Sequence, residues 1–149
     1  MIPGYFSRRV SLASLFVVLI LGCGGSSQGV RIEGKLMQGP VAYTVPEGQV
    51  LHLAFVGKNA KGEEVHYPAD INPADGTFVV GKTGDKVPPG KYRIKISVSV
   101  SGTDPASLAK QSELNKPFSI FDGKEFEVTA DSGQKFDIET TTGAITKAK

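Results

Sequence analysis

The sequence predicts an all-β domain over residues 30–139: about seven strands in a single antiparallel sandwich or barrel. Three observations carry this expectation. Apolar and polar residues alternate with a period of two through most segments after residue 29. Clusters of Gly, Pro, Asn and Asp separate those segments at short intervals. The apolar residues of the longest segment would scatter around a helix turning 100° per residue, but fall on one face of a strand.

The first 22 residues read as a leader instead of fold. Arg8 and Arg9 supply a positive start, and Val10 to Leu21 is uncharged and mostly apolar. That run is well short of the roughly 20 residues a helix needs to span a bilayer. Cys23, the only cysteine, follows in Ile20-Leu21-Gly22-Cys23-Gly24-Gly25. This arrangement resembles a bacterial lipoprotein signal peptide ending in a lipobox, although Leu21 is bulkier than usual at its place. The resemblance implies cleavage before Cys23, lipidation (palmitate or related acyl chains) of its sulfur, and residence on a membrane of the cell envelope. Two or three acyl chains anchor stably where one chain binds only marginally. Ser7-Arg8-Arg9-Val10-Ser11-Leu12 also resembles a twin-arginine signal without its usual Phe, so both that route and general secretion stay open.

Residues 23–29 read as the lipidated cysteine and a Gly/Ser-rich tether. Strands are expected next in chain order. Val30, Ile32 and Leu36 alternate with Arg31, Glu33 and Lys35. Leu51, Leu53 and Phe55 alternate with Val50, His52 and Ala54, and Val65 and Tyr67 with Glu64 and His66. Gly57 to Gly62 reads as the hairpin loop between those two strands. Ala74-Asp75-Gly76-Thr77 reads as a tight turn into a short strand with Phe78 and Val80. Pro88-Pro89-Gly90 precedes the longest strand, Lys91 to Val100, where Tyr92, Ile94, Ile96, Val98 and Val100 share one face. Asp104-Pro105 reads as an N-cap and first-turn proline, with about two helical turns in Ala106 to Leu114. Phe126 and Val128, then Phe136 and Ile138, mark the closing strands on either side of Ala130 to Gln134. Residues 140–149 read as a polar, fraying tail.

The order of these pieces resembles the carboxypeptidase regulatory-like, transthyretin-like domains. The residues that carry the resemblance are Val30 to Leu36, the Asp75-Gly76-Thr77-Phe78 turn, Pro88-Pro89-Gly90-Lys91-Tyr92 and the closing pair Phe126 to Val128 and Gln134 to Ile138. Gln38-Gly39-Pro40-Val41 matches a loop of such domains only in part, and Asp104 to Lys116 has no strong counterpart. The resemblance implies a single antiparallel, Ig-like or prealbumin-like β-sandwich of about seven strands that serves as an accessory, stabilising or binding module. Intradiol dioxygenases and hydroxyisourate hydrolases occupy similar sandwiches, but the Tyr-Arg-Gly-Ser tail of the latter is missing from Ile145 to Lys149.

Composition narrows the function. Removing Arg8 and Arg9 with the leader leaves 15 basic against 15 acidic residues, so the basic balance of the whole chain belongs to the leader. The neutral remainder gives no reason to expect nucleic acid or an anionic-membrane patch as partner. With Cys23 acylated, no disulfide, thiolate nucleophile or Cys-type zinc site can form.

Three candidate sites follow. His52 and His66 lie on the polar sides of adjacent strands, and counting symmetrically about the Gly57–Gly62 loop brings them near each other, with Glu64 as a third metal ligand. Solvent-facing histidines are the alternative. Asp70 to Gly76 has calcium-loop chemistry but misses the EF-hand spacing by one, which favours a turn held by Asp and Asn side chains. Gly76-x4-Gly81-Lys82-Thr83 matches a phosphate loop on paper, but a strand runs inside it. The expectation is therefore a membrane-tethered, non-enzymatic β-module of the cell envelope without a cofactor. It would bind or scaffold an envelope protein or glycan, and absence of Trp weakens the glycan case. The alternative is a small metal-binding protein or metal-dependent enzyme built on His52 and His66.

Overall fold

Alternation becomes a sheet because each strand can bury one face while its backbone is satisfied by neighbours. In a computed structural model, which describes residues 29–82 and 86–148, this happens nine times. The strands are β1 (Ile32–Gln38), β2 (Val41–Ala42), β3 (Gln49–Lys58), β4 (Glu64–Ile71), β5 (Thr77–Val80), β6 (Gly90–Val100), β7 (Glu125–Val128), β8 (Gln134–Glu139) and β9 (Ile145–Lys147). Helix α1 (Pro105–Asn115) and a 3-10 segment (Lys116–Phe121) lie between β6 and β7. The leader, Cys23 and residues up to 28 lie outside the described residues.

The strands form one path, β7-β6-β3-β4-β5-β1-β8-β9, with β2 paired to β1. The path curls into a nearly closed, barrel-like shape. Strand β4 makes the bend. Its first half pairs with β3 as far as Ala54↔Pro68, and its second half pairs with β5 from Ala69↔Val80 to Ile71↔Phe78. Pro68 sits at the change of partner, where a residue without an N–H is best tolerated. β7, at one end of the path, approaches β8, the neighbour of the other end strand, through Phe126 and Phe136, whose ring centroids are 5.3 Å apart. The expected antiparallel arrangement is corrected at one pair: β1 is parallel to β8, from Ile32↔Gln134 to Met37↔Glu139.

The core sits inside the curl. Ile32 and Leu36 of β1, Leu53 and Phe55 of β3, Phe78 and Val80 of β5 and Ile138 of β8 are almost wholly buried. Each such side chain contributes about 1.5–3 kcal/mol relative to remaining exposed. The expected inward set of β6 is buried from Tyr92 to Val98. Phe55 contacts Phe126 edge-on at 4.9 Å and Phe78 at 6.1 Å.

Several expectations are corrected. There are nine strands among the described residues instead of about seven, because β2 and β9 were not anticipated. The 140–149 tail does not simply fray. Its Ile145–Lys147 stretch pairs with β8, and the N–H and hydroxyl of Thr140 both donate to the carbonyl of Met37. The helix runs three turns. Asp104 caps it through the N–H groups of Ala106 and Ser107 at 3.0 and 3.1 Å. Leu108 remains 55% exposed, so α1 is held by its ends more than by an apolar stripe.

Candidate functional site

The hairpin joining β3 and β4 decides where the expected histidine site goes. β3 continues through Gly57 to Lys58 and β4 begins at Glu64. The Asn59 side chain accepts from the N–H groups of Lys61 and Glu63, and Asn59 and Glu63 also bond through their backbones. This local closure centres the turn on Lys61. Every cross-strand pair slides accordingly, and His66 faces Val56 instead of the neighbourhood of His52. His52 lies four residues back along β3, roughly 13 Å away at a strand's rise. There its Nε2 is 3.0 Å from the Ser99 hydroxyl. The two imidazoles do not share a site. Among the described residues, no group of three or more His, Cys, Asp or Glu side chains is arranged to hold a metal.

What the register does bring together is Glu64, His66 and Arg93. The His66 Nε2 is 2.9 Å from one Glu64 oxygen, and the Arg93 guanidinium donates to the other at 2.7 Å. The hydrogen bond with His66 and the nearby Arg93 charge hold the Glu64 carboxyl below the usual carboxylate range. Both oxygens are thus engaged as acceptors, on the outer, solvated face of the sheet. The cluster borders an open depression of about 680 Å³ lined by Gly57, Lys58, Lys91, Arg93 and Glu125. Its walls carry both signs of charge, which suits solvation as well as it suits any one ligand.

The Asp70–Gly76 segment is a turn. The Asn72 Oδ1 accepts from the Ala74 N–H at 3.1 Å. The Asp75 Oδ1 accepts from the N–H and hydroxyl of Thr77 at 3.0 and 2.7 Å. One oxygen each of Asn72 and Asp75 is thus engaged in holding the turn. Gly76 takes φ 68°, and a Cβ there would also run into the Tyr43 carbonyl. Strand β5 occupies the interior of the Gly76-x4-Gly81 stretch, where a phosphate loop would be irregular, and Thr83 lies outside the described residues.

The more apolar recess lies where α1 and the 3-10 segment lean on β6. It is a cleft of about 360 Å³ with Tyr43, Val98, Leu114, Pro117 and Phe118 along its floor. Gln38, Gln49, Glu113 and Thr140 border it. Tyr43 and Phe118 meet edge-on at 6.3 Å, and partial burial pushes the Tyr43 phenol above its ordinary 10.0. Apolar floor with a few polar rim groups is the chemistry of a small-ligand or side-chain pocket. Sequence reasoning missed it because the cleft joins residues from 38 to 140. The only local signal was the unexplained insertion at Asp104 to Lys116. Compared with protein-family models, curated proteins and solved structures, the chain matches none.

Proposed function

We propose that this chain is a lipid-anchored protein of the cell envelope whose β domain works by binding or scaffolding, not by catalysis. The observation that carries the reading is Cys23. A lone cysteine stands directly after a charged-then-apolar leader and six residues before the first described residue of the β domain. Cleavage before Cys23 would leave its thiol for acylation and its short tether joined to β1. The cleft beside α1 is the binding site this reading favours, since Tyr43, Leu114 and Phe118 offer apolar contact and Gln38, Gln49 and Thr140 offer hydrogen bonds.

The domain is read as a transthyretin-like sandwich of the carboxypeptidase regulatory-like kind. Supporting this is the division of the strand path into two four-stranded runs, β5-β1-β8-β9 and β7-β6-β3-β4, joined where β4 changes partner. The metal-site alternative loses its basis with the separation of His52 from His66.

Palmitate labelling in the native host tests the anchor. Wild type incorporates label, Cys23→Ala does not, and the variant leaves the membrane fraction or keeps its leader. Equal labelling of the two proteins refutes the reading.

A further inference from the structure

The fold sorts charges that the sequence leaves balanced. The end of the domain where the tether joins is defined by the Val30↔Val87 bridge, and by Ile32 standing opposite Val80 and Gln134. β6 starts at this end with Gly90, opposite Val128. The β3–β4 hairpin reaches it too, two residues beyond the Val56↔Arg93 pair. Lys58, Lys61, Lys82, Lys86 and Lys91 all project there as exposed side chains. The acids nearby are largely engaged. Glu33 answers Arg31 at 2.9 Å and Asp131 answers Lys147 at 3.9 Å. Glu64 holds Arg93 and His66, and Glu63 accepts from the Asn59 side chain. Glu127 stands opposite Lys91 and the exposed Glu125 opposite Arg93, while Asp85 lies outside the described residues, so the lysines there exceed the acids by a small margin. The opposite end is acidic on balance, with Glu47, Asp75, Asp104, Glu113 and Glu139 against Lys110, Lys116 and Lys124.

We propose that the lysine-bearing end, next to the tether, docks on the headgroups of an anionic bilayer. This inference rests on the reading of Cys23 as the lipid attachment point. From Cys23 to Gly29 the chain advances six residues, which cannot reach beyond about 20 Å. The anchor therefore holds this end, and not the acidic one, within a few Debye lengths of the surface, where screening at physiological salt acts over about 8 Å. Each lysine close to an anionic leaflet favours the docked state about fivefold. A domain with charge separated along its tether axis then stands with its acidic end and the α1 cleft away from the lipid.

The full-length chain, isolated in detergent from expressing membranes, tests this after reconstitution into vesicles of phosphatidylcholine alone or mixed with phosphatidylglycerol. A fluorophore is placed at Ala60→Cys in the β3–β4 turn or at Ala74→Cys in the turn before β5, and the lipid headgroups carry a quencher. The Ala60 probe is quenched more strongly on the anionic vesicles. High salt and the combined Lys58→Gln, Lys61→Gln and Lys86→Gln variant abolish the excess, and the Ala74 probe does not respond. Equal quenching of the Ala60 probe on both vesicles, or lipid-dependent quenching of the Ala74 probe, overturns the inference. Failure of the anchor reads differently, as chain left in solution with both vesicles, and the docking inference falls with it.

Discussion

The side chain of Asn115 pairs with the backbone of Val98 as a neighbouring strand would. Its Oδ1 accepts from the Val98 N–H at 2.7 Å and its Nδ2 donates to the Val98 carbonyl at 2.9 Å. The same Nδ2 also donates to the Gln111 carbonyl at 2.7 Å near the end of α1. β7 covers β6 only from Gly90 to Arg93, so the rest of that edge needs other partners. Asn115 supplies them, and it fixes α1 against the sheet without an apolar stripe.

Asn115→Ala strips both Val98 groups of their partner. Leaving half-buried backbone groups unpaired costs about 1–3 kcal/mol. Urea denaturation is expected to show that loss, with faster amide exchange at Val98. Asn115→Asp loses the donor as well as placing a carboxylate against two carbonyls, and is expected to be the worse of the two. An unchanged midpoint for both variants contradicts this role.

Tyr92 makes folding sensitive to alkali. Its ring is buried and its hydroxyl donates to the Pro88 carbonyl at 2.7 Å. Burial, with Tyr67 beside it, pushes the phenol up to about 12. A raised folded value means that the stabilising contribution is complete below the ordinary 10.0 and is lost as pH rises from there to about 12. Absorbance titration is expected to show one late-ionising tyrosine and a fall in stability across that window. Tyr92→Phe flattens the fall, at a cost of about 0.5–1.5 kcal/mol near neutrality for the lost hydrogen bond.

The same ring explains Gly57. A Cβ at position 57 would collide with the Tyr92 ring, and Gly57 is itself buried within β3. Gly57→Ala improves local strand entropy yet overpacks this contact, and is expected to destabilise by about 1–3 kcal/mol. In a double-mutant cycle, Gly57→Ala costs less in the Tyr92→Leu background than in the wild type if the ring is the obstacle. An equal cost in both backgrounds refutes that explanation.

Acid acts on the start of α1. Asp104 caps the helix, and its hydrogen bonds from Ser107 and Ala106 hold the carboxyl below its ordinary 3.8. A depressed value means that the stabilisation is complete above 3.8 and disappears as pH falls below it. Circular dichroism at low pH is expected to show partial loss of helix in the wild type. Asp104→Ala shows that loss already at neutral pH, while Asp104→Asn keeps the cap and loses the acid response.

β6 was legible nearly residue by residue because one face packs and the other is wet, and that constraint repeats every second position. The Asp75–Thr77 turn and the Asp104 cap were legible because their hydrogen bonds close within a few residues. For β4 the alternation of Val65 and Tyr67 marks only the half that pairs with β3; beyond Pro68 the strand changes partner to β5. β9 was missed because Ile145–Lys147 has too few apolar positions to alternate, and pairing with β8 is what makes it a strand. The His52–His66 site failed on register, since a turn centred on Lys61 moves every facing pair.

By itself, then, the sequence determined the inward faces of the main strands and the turns that separate them. Those are properties of neighbours along the chain, where side-chain alternation and turn chemistry act over a few bonds. Only the tertiary structure decided which residues meet. It separated His52 from His66, joined Glu64 to Arg93, set Asn115 on Val98, assembled the Tyr43–Phe118 cleft and gathered lysines at the end where β1 begins. Each of these depends on strand register and on closure of the sheet, which are fixed by packing between segments far apart in sequence.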